Sequence, residues 1–213
     1  MALVYFRELD GDTKLAIWKI EETAEELLER LQLDESENAT LQRFSKGKRT
    51  LHWLASRVLL RYVLKTDEFI LCPSDENGKP YLPDYPYEIS FTHSYDYAGL
   101  ILSQKGPCGI DLEIVKDKVL RIREKFMKPN ELACIRKDHI EQLYACWCAK
   151  EAVYKLQGNK GISFLENITI LPFQYNPQGV MTVVLEKNQS KQSFQVYYEK
   201  FQDYMLGYVV DEK

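Results

Sequence analysis

The stretch from Gly109 to Lys155 constrains this chain more tightly than any other. It opens with Gly109-Ile110-Asp111-Leu112-Glu113, where apolar Ile110, Leu112 and Ile114 alternate with Asp111 and Glu113. Residues two apart share one face of a pleated chain, so the run predicts a strand with two carboxylates on one side. The stretch closes with Trp147-Cys148-Ala149-Lys150-Glu151-Ala152-Val153-Tyr154-Lys155, free of Gly and Pro and predicted to be helical. Helix positions four apart are stacked neighbours, so Glu151 and Lys155 share a face. If strand and helix pack together, three carboxylates converge with a lysine. Such a group can hold one hard divalent cation against a phosphate, with the lysine adding positive charge, and this outlines a site for phosphoryl transfer.

A length of 213 residues suits one domain with two halves, or two small domains sharing an interface. Apolar residues at 45% can furnish a sizeable core and the charged 28% is ordinary, which excludes a disordered chain. The net charge of −4 gives no general attraction to nucleic acid or to an anionic membrane, so phosphate-binding basic residues must act as a local patch. Cys72, Cys108, Cys134, Cys146 and Cys148 are odd in number and form neither a CxxC pair nor a zinc-ligand spacing. They read as free thiols in a reducing compartment. The N-terminal run Met1 to Glu8 has no basic stretch followed by a long apolar one, and no apolar segment approaches membrane-spanning length. A cytoplasmic protein with no nucleic-acid or membrane partner is expected.

Strands are predicted at 3–6 and 14–20 around the turn Asp10-Gly11-Asp12, followed by an acidic exposed helix at 21–31 capped by Thr23. Leu51, Leu54, Ala55, Val58, Leu59 and Tyr62 then recur at helical spacing between about Lys48 and Lys65. The first turns of this helix carry Lys46, Lys48, Arg49, His52 and Arg57, which read either as a solvated basic face or as an anion site. Asn77-Gly78-Lys79-Pro80 signals a turn. Glu88 to Ser94 reads as a strand in its first half with His93 where strand yields to loop, and Thr92, His93 and Ser94 form a cluster of donors there. A strand at 97–102 follows. Residues 116–140 read as irregular and highly charged, with Phe126 and Met127 suited either to a docking loop or to the core, and a short helix from Pro129. A helix is expected near 139–157, then strands at 162–171, 179–186, 193–200 and 204–210.

An internal echo bears on the architecture. Phe91 to Ser103 and Phe201 to Asp211 each place a Tyr, a Gly and an apolar strand after a polar turn, each after a long helix. The chain is therefore expected to divide into halves of similar structure, 1–105 and 106–213, joined through Ser103-Gln104-Lys105-Gly106-Pro107.

Four motifs occur in order: Gly78-Lys79-Pro80, Phe91-Thr92-His93-Ser94, Gly109-Ile110-Asp111-Leu112-Glu113 and Trp147 to Lys155. Together they resemble the signatures of 4′-phosphopantetheinyl transferases of the surfactin-synthetase-activating (Sfp) type, whose W-[SCT]-x-K-E-[AS]-x-x-K pattern is the most specific of the set. The motifs span about residues 44–158. The resemblance implies an α+β pseudo-dimer of two similar halves, each a small antiparallel sheet packed with a long helix, acting as a monomer with the site between the halves. It implies transfer of the phosphopantetheine arm of coenzyme A (CoA) to a serine of an acyl or peptidyl carrier protein, with release of adenosine 3′,5′-bisphosphate. By the same resemblance Asp111, Glu113 and Glu151 hold Mg²⁺, or Mn²⁺, against the CoA pyrophosphate, and Glu151 is the candidate base. Lys155 binds the pyrophosphate and stabilises the leaving group. Lys79, Thr92 and His93 contact CoA phosphates, Gly78 and Pro80 shape the adenine pocket, and Arg49 and His52, joined by Lys46 and Arg57, meet the 3′-phosphate. Lys150, Glu131 and Arg57 are accessory residues, and Phe126 and Met127 form the carrier-docking loop. The family has serine before the histidine where this chain has Thr92, which keeps the hydroxyl, and Met127 departs from the family's F-[FS]-x-x-x-E element.

Three other readings compete. A metal-dependent phosphohydrolase acting on CoA-like nucleotides could use the same acidic triad to activate water. A non-catalytic CoA- or carrier-binding protein would keep the pocket without the chemistry. A structural role leaves the coincidence of Lys79, His93 and Lys155 unexplained.

Overall fold

The computed structural model of the chain describes residues 3–44 and 47–212. The first strand pair, β1 (Leu3–Leu9) and β2 (Thr13–Lys19), flanks the turn at Asp10 and Gly11, both in the left-handed region. Helix α1 (Ala24–Glu29) follows, its first turn closed by a reciprocal box in which Thr23 accepts from the Glu26 N–H and Glu26 accepts from the Thr23 N–H. Helix α2 (Glu35–Arg43) has no counterpart in the sequence reading. Asp34 caps it, accepting from the Glu37 N–H at 2.7 Å, but its polar composition gives no apolar stripe to reveal it. Helix α3 (Lys48–Leu64) matches the predicted span.

Strands β3 (Glu88–Ser94) and β4 (Tyr97–Ser103) complete the first sheet, whose order is β1-β2-β4-β3, antiparallel throughout. β3 runs on through His93 to Ser94, because Thr92, His93 and Ser94 pair with Gly99, Ala98 and Tyr97. Tertiary pairing overrides the polar local sequence there.

The second sheet begins with β5 (Cys108–Ile114). The charged stretch after it is more ordered than its composition suggests, holding helix α4 (Val119–Ile122), a 3₁₀ turn and helix α5 (Pro129–Leu132). The long helix α6 (Ile140–Gln157) is capped by His139 and ends at Gly158, whose φ of 63° lies in the left-handed region. Strands β6 (Ile168–Ile170), β7 (Gln178–Lys187), β8 (Ser190–Phe201) and β9 (Tyr204–Val210) give the order β5-β9-β8-β7-β6. The strand expected from 162 begins only at Ile168.

Each sheet is covered by one long helix and the sheets face each other. Leu54, Ala55, Val58 and Leu59 of α3 bury against Ala16, Trp18 and Leu100 of the first sheet. Cys148, Ala149, Ala152 and Val153 of α6 bury against Met181, Val196, Met205 and Val209 of the second. Between the sheets, Leu15, Ile17 and Ile101 meet Ile110, Leu112 and Leu206. The result is a helix–sheet–sheet–helix stack, and alternation along each strand supplies an apolar residue to both sides. At about 25 cal/mol per Å² of apolar area removed from water, this shared inner layer makes the sheets mutually dependent.

Close approach of α6 to the second sheet needs two glycines. A Cβ on Gly109 would overlap the Ala152 carbonyl oxygen and come within 2.9 Å of the Leu156 nitrogen, and one on Gly207 would lie 2.9 Å from the Cys148 Cβ. All five cysteines are free thiols, and all but Cys134 are buried. Among the described residues no helix is long and apolar enough to cross a membrane.

Candidate active site

The alternation of β5 and the spacing of α6 bring together the groups that the sequence singles out. Asp111 is only 5% exposed, on the β5 face that meets α6. Its Oδ1 accepts from Lys155 Nζ at 2.7 Å and from Thr92 Oγ1 at 3.4 Å, while its buried Oδ2 has no hydrogen-bond partner. Lys155 Nζ also donates to the Ile110 carbonyl at 2.9 Å. Glu113, two residues along the strand, accepts from Ser94 Oγ at 3.3 Å. Glu151 stands one helical turn before Lys155 and is half-buried.

These carboxylates repel one another in a partly dry setting. Burial and then the charge of Asp111 push Glu151 up to about 7, with Glu113 adding to the shift and Lys155 opposing it. Burial and then Asp111 raise Glu113 as well. Among the described residues no three His, Cys, Asp or Glu side chains are gathered into a ready-made metal cluster. The donor set nevertheless fits a hard divalent cation. It is all oxygen, three carboxylates share the cation Lys155, and the buried Asp111 Oδ2 lacks a hydrogen-bond partner.

A cleft of about 350 Å³ opens beside this group and takes its walls from both sheets' neighbourhoods. Gly78, Lys79, Pro80, His93, Arg57 and Lys155, all singled out from sequence, are among the residues that line it. Lys79 Nζ donates to the Leu156 carbonyl at 2.9 Å, and Lys160 Nζ donates to the Glu76 carbonyl at 3.0 Å, so two lysines latch the 75–80 turn to the end of α6. The Arg57 guanidinium lies over Trp53 at 4.7 Å and over Phe91 at 5.4 Å, fixed by Glu37 at 3.2 Å. His93 stacks on His52 with 4.6 Å between ring centroids. Burial, then His52 and Lys155, hold the His93 imidazole below its ordinary range.

Other selected residues lie elsewhere. Thr92 is buried on the face of β3 turned to β5 and does not line the cleft. His52 sits behind His93 with Nε2 against the Tyr95 carbonyl at 2.7 Å, and Arg49 lies over Phe44. Lys46 falls outside the described residues. Lys150 and Glu131 form an internal ion pair at 2.9 Å, and Lys150 also bonds the carbonyls of Phe126, Phe164 and Ile168. They brace the 126–131 segment against α6. Phe126 and Met127 are core residues, 1% and 2% exposed, with Phe126 edge-on to Trp147. The expected apolar docking loop is thus replaced by a buried anchor, because α6 offers the pair more apolar contact than solvent does.

Trp53, Tyr154 and Lys160 line the cleft without having been selected from sequence. Only Tyr154 carried a signal, since it directly precedes Lys155 in the Trp147 motif.

Residues 107–209 match the family model of the 4′-phosphopantetheinyl transferase superfamily. The chain is 29% identical over 120 residues to the Escherichia coli 4′-phosphopantetheinyl transferase AcpT, covering 53% of this chain and 60% of that protein. It is 33% identical over 93 residues to a Bacillus subtilis 4′-phosphopantetheinyl transferase, covering 41% of each. It is 31% identical over 122 residues to the Bacillus pumilus 4′-phosphopantetheinyl transferase psf-1, covering 52% of this chain and 51% of that protein. The chain spans about half the length of the curated relatives it matches.

Proposed function

We propose that this chain is a 4′-phosphopantetheinyl transferase, moving the phosphopantetheine arm of CoA onto a serine of an acyl or peptidyl carrier protein. The observation that carries the reading is the meeting of Asp111 and Glu113 on β5 with Glu151 and Lys155 on α6, at the edge of a cleft lined by Lys79, Arg57, His93 and Lys160. Similarity to transferases over residues 107–209 supports the same assignment.

In this reading the cleft takes the nucleotide end of CoA. Lys79, Lys160 and Arg57 give its phosphates a cationic wall, and His93 adds a donor. Asp111, Glu113 and Glu151 would hold Mg²⁺ or Mn²⁺. When bound, the ion neutralises charge on the pyrophosphate oxygens and favours in-line attack. Lys155 would stabilise the charge that develops on the departing adenosine 3′,5′-bisphosphate. Glu151 takes the proton of the incoming serine hydroxyl, directly or through water. The serine oxygen forms a bond to the pantetheine-side phosphorus as the phosphoanhydride bond breaks.

The two sheets are read as copies of one unit, divided near 103–107, and the Sfp-type pseudo-dimer follows from that. Strand orders β2-β4-β3 and β5-β9-β8 support it, since in both the strand before the long helix pairs with the last strand. One chain supplies both walls of the cleft, which supports action as a monomer.

Chromatography of CoA incubated with the protein and Mg²⁺ tests the reaction class. Release of adenosine 3′,5′-bisphosphate only when an apo carrier protein is present is the expected result. Equal release without any carrier would replace the transferase by a phosphohydrolase.

A further inference from the structure

β5 pairs with β9 along one edge only, and its other edge lies against β3. Alternate N–H groups of a strand point to alternate edges, so Ile110, Leu112 and Ile114 present theirs toward β3. No backbone carbonyl meets them. Three hydroxyls at matching spacing do: Ser90 accepts from Ile110 at 3.3 Å, Thr92 from Leu112 at 3.0 Å and Ser94 from Ile114 at 3.4 Å.

A hydroxyl has one proton, and accepting an N–H fixes where that proton can go. Thr92 donates it to Asp111 and Ser94 donates it to Glu113, in each case the residue just before the one whose N–H it accepts. At the same offset Ser90 faces Gly109, which has no side chain. One ladder therefore closes the seam at three rungs and reaches a carboxylate at two, at 3.4 and 3.3 Å. With Oδ1 of Asp111 held by Thr92 and Lys155, Oδ2 is the oxygen left without a partner.

We propose that Thr92 and Ser94 are positioning residues that orient Asp111 and Glu113 for a divalent cation, while Ser90, which closes the seam and also lines the cleft, reaches no carboxylate. This rests on the metal reading above. It also gives Thr92 a role other than direct phosphate contact. Partners of this kind around metal ligands typically change metal affinity when lost.

The test is Mn²⁺ binding, followed by the electron paramagnetic resonance signal of free Mn²⁺, in the parent protein and in Thr92→Val, Thr92→Ser, Ser94→Ala and Ser90→Ala. Thr92→Val and Ser94→Ala should weaken binding about 10-fold or more, whereas Thr92→Ser and Ser90→Ala should stay close to the parent. If Thr92→Val does not fold, Ser94→Ala against Ser90→Ala carries the comparison. Equal loss in Ser90→Ala, or parent-like binding in both Ser94→Ala and Thr92→Val, would overturn the positioning role alone. No Mn²⁺ binding by the parent would overturn the metal reading and this proposal with it.

Discussion

Lys155 Nζ stands 2.7 Å from Asp111 Oδ1, so one side chain of α6 neutralises the most buried carboxylate of β5 and ties the helix to the strand across the site. The same amine bonds the Ile110 carbonyl at 2.9 Å. A lysine held by the protein in this way is already oriented when a phosphate arrives, which is how electrostatic preorganisation lowers a barrier.

Lys155→Met should therefore cut transfer by about 100-fold or more, because the charge on the leaving phosphate loses its partner. The loss of one hydrogen-bonded charge beside a buried carboxylate should also cost about 1–3 kcal/mol of stability. Steady-state kinetics and urea unfolding of the same preparation measure both.

Gly109→Ala should be severely destabilising, by about 3 kcal/mol or more, since its Cβ would overlap the Ala152 carbonyl and force α6 off β5. Thermal unfolding shows this directly. A parent-like midpoint would contradict the close helix–strand contact on which the site's geometry depends.

Lys150→Met should destabilise by about 3–5 kcal/mol, because Glu131 would be left as a buried charge without its cation. Pairing it with Glu131→Leu should recover part of that loss, although the N–H groups of Lys128 and Ile170 that Glu131 also accepts would be stranded. Unfolding curves of the two single variants and the double variant separate these terms.

His93 gives a pH signature. Its imidazole is held below the ordinary range, by burial first and then by His52 and Lys155, so between the unfolded and folded values the unfolded chain binds the extra proton. Its contribution is complete above about pH 6.5 and is lost as the pH falls toward the folded value. His93→Phe keeps a ring against His52 and removes the titration. Its stability should fall less than the parent's between neutral and mildly acidic pH, and the difference between the two curves excludes Glu151, whose raised value acts in the opposite direction. Identical pH dependence in both proteins would contradict the depressed imidazole.

How much of this was legible depended on whether a residue's role is set by neighbours along the chain or across space. Ile110, Asp111, Leu112 and Glu113 announce their faces by alternation, and Glu151 and Lys155 by helical spacing, so the meeting of these side chains could be anticipated. The Asn77 to Pro80 turn and the Thr23 cap are likewise local. Helix α2 escaped because its polar surface has no apolar period, and only Asp34 marked it. Phe126 and Met127 sit among charges in sequence, yet Lys150 pulls their segment inward through bonds made only in the fold. Thr92 carries a donor that could serve a ligand or the protein equally well, and its bonds to Leu112 and Asp111 depend on how β3 lies against β5, which no local spacing reveals. Trp53 and Lys160 join the cleft from distant segments that no spacing connects.

The most direct test of the central claim is the mass of an apo acyl carrier protein after incubation with this protein, CoA and Mg²⁺, beside a Glu151→Ala control. A gain of about 340 Da on the carrier serine, absent with EDTA and in the variant, is the predicted result. An unchanged carrier mass while CoA is consumed, or an equal gain with Glu151→Ala, would contradict it.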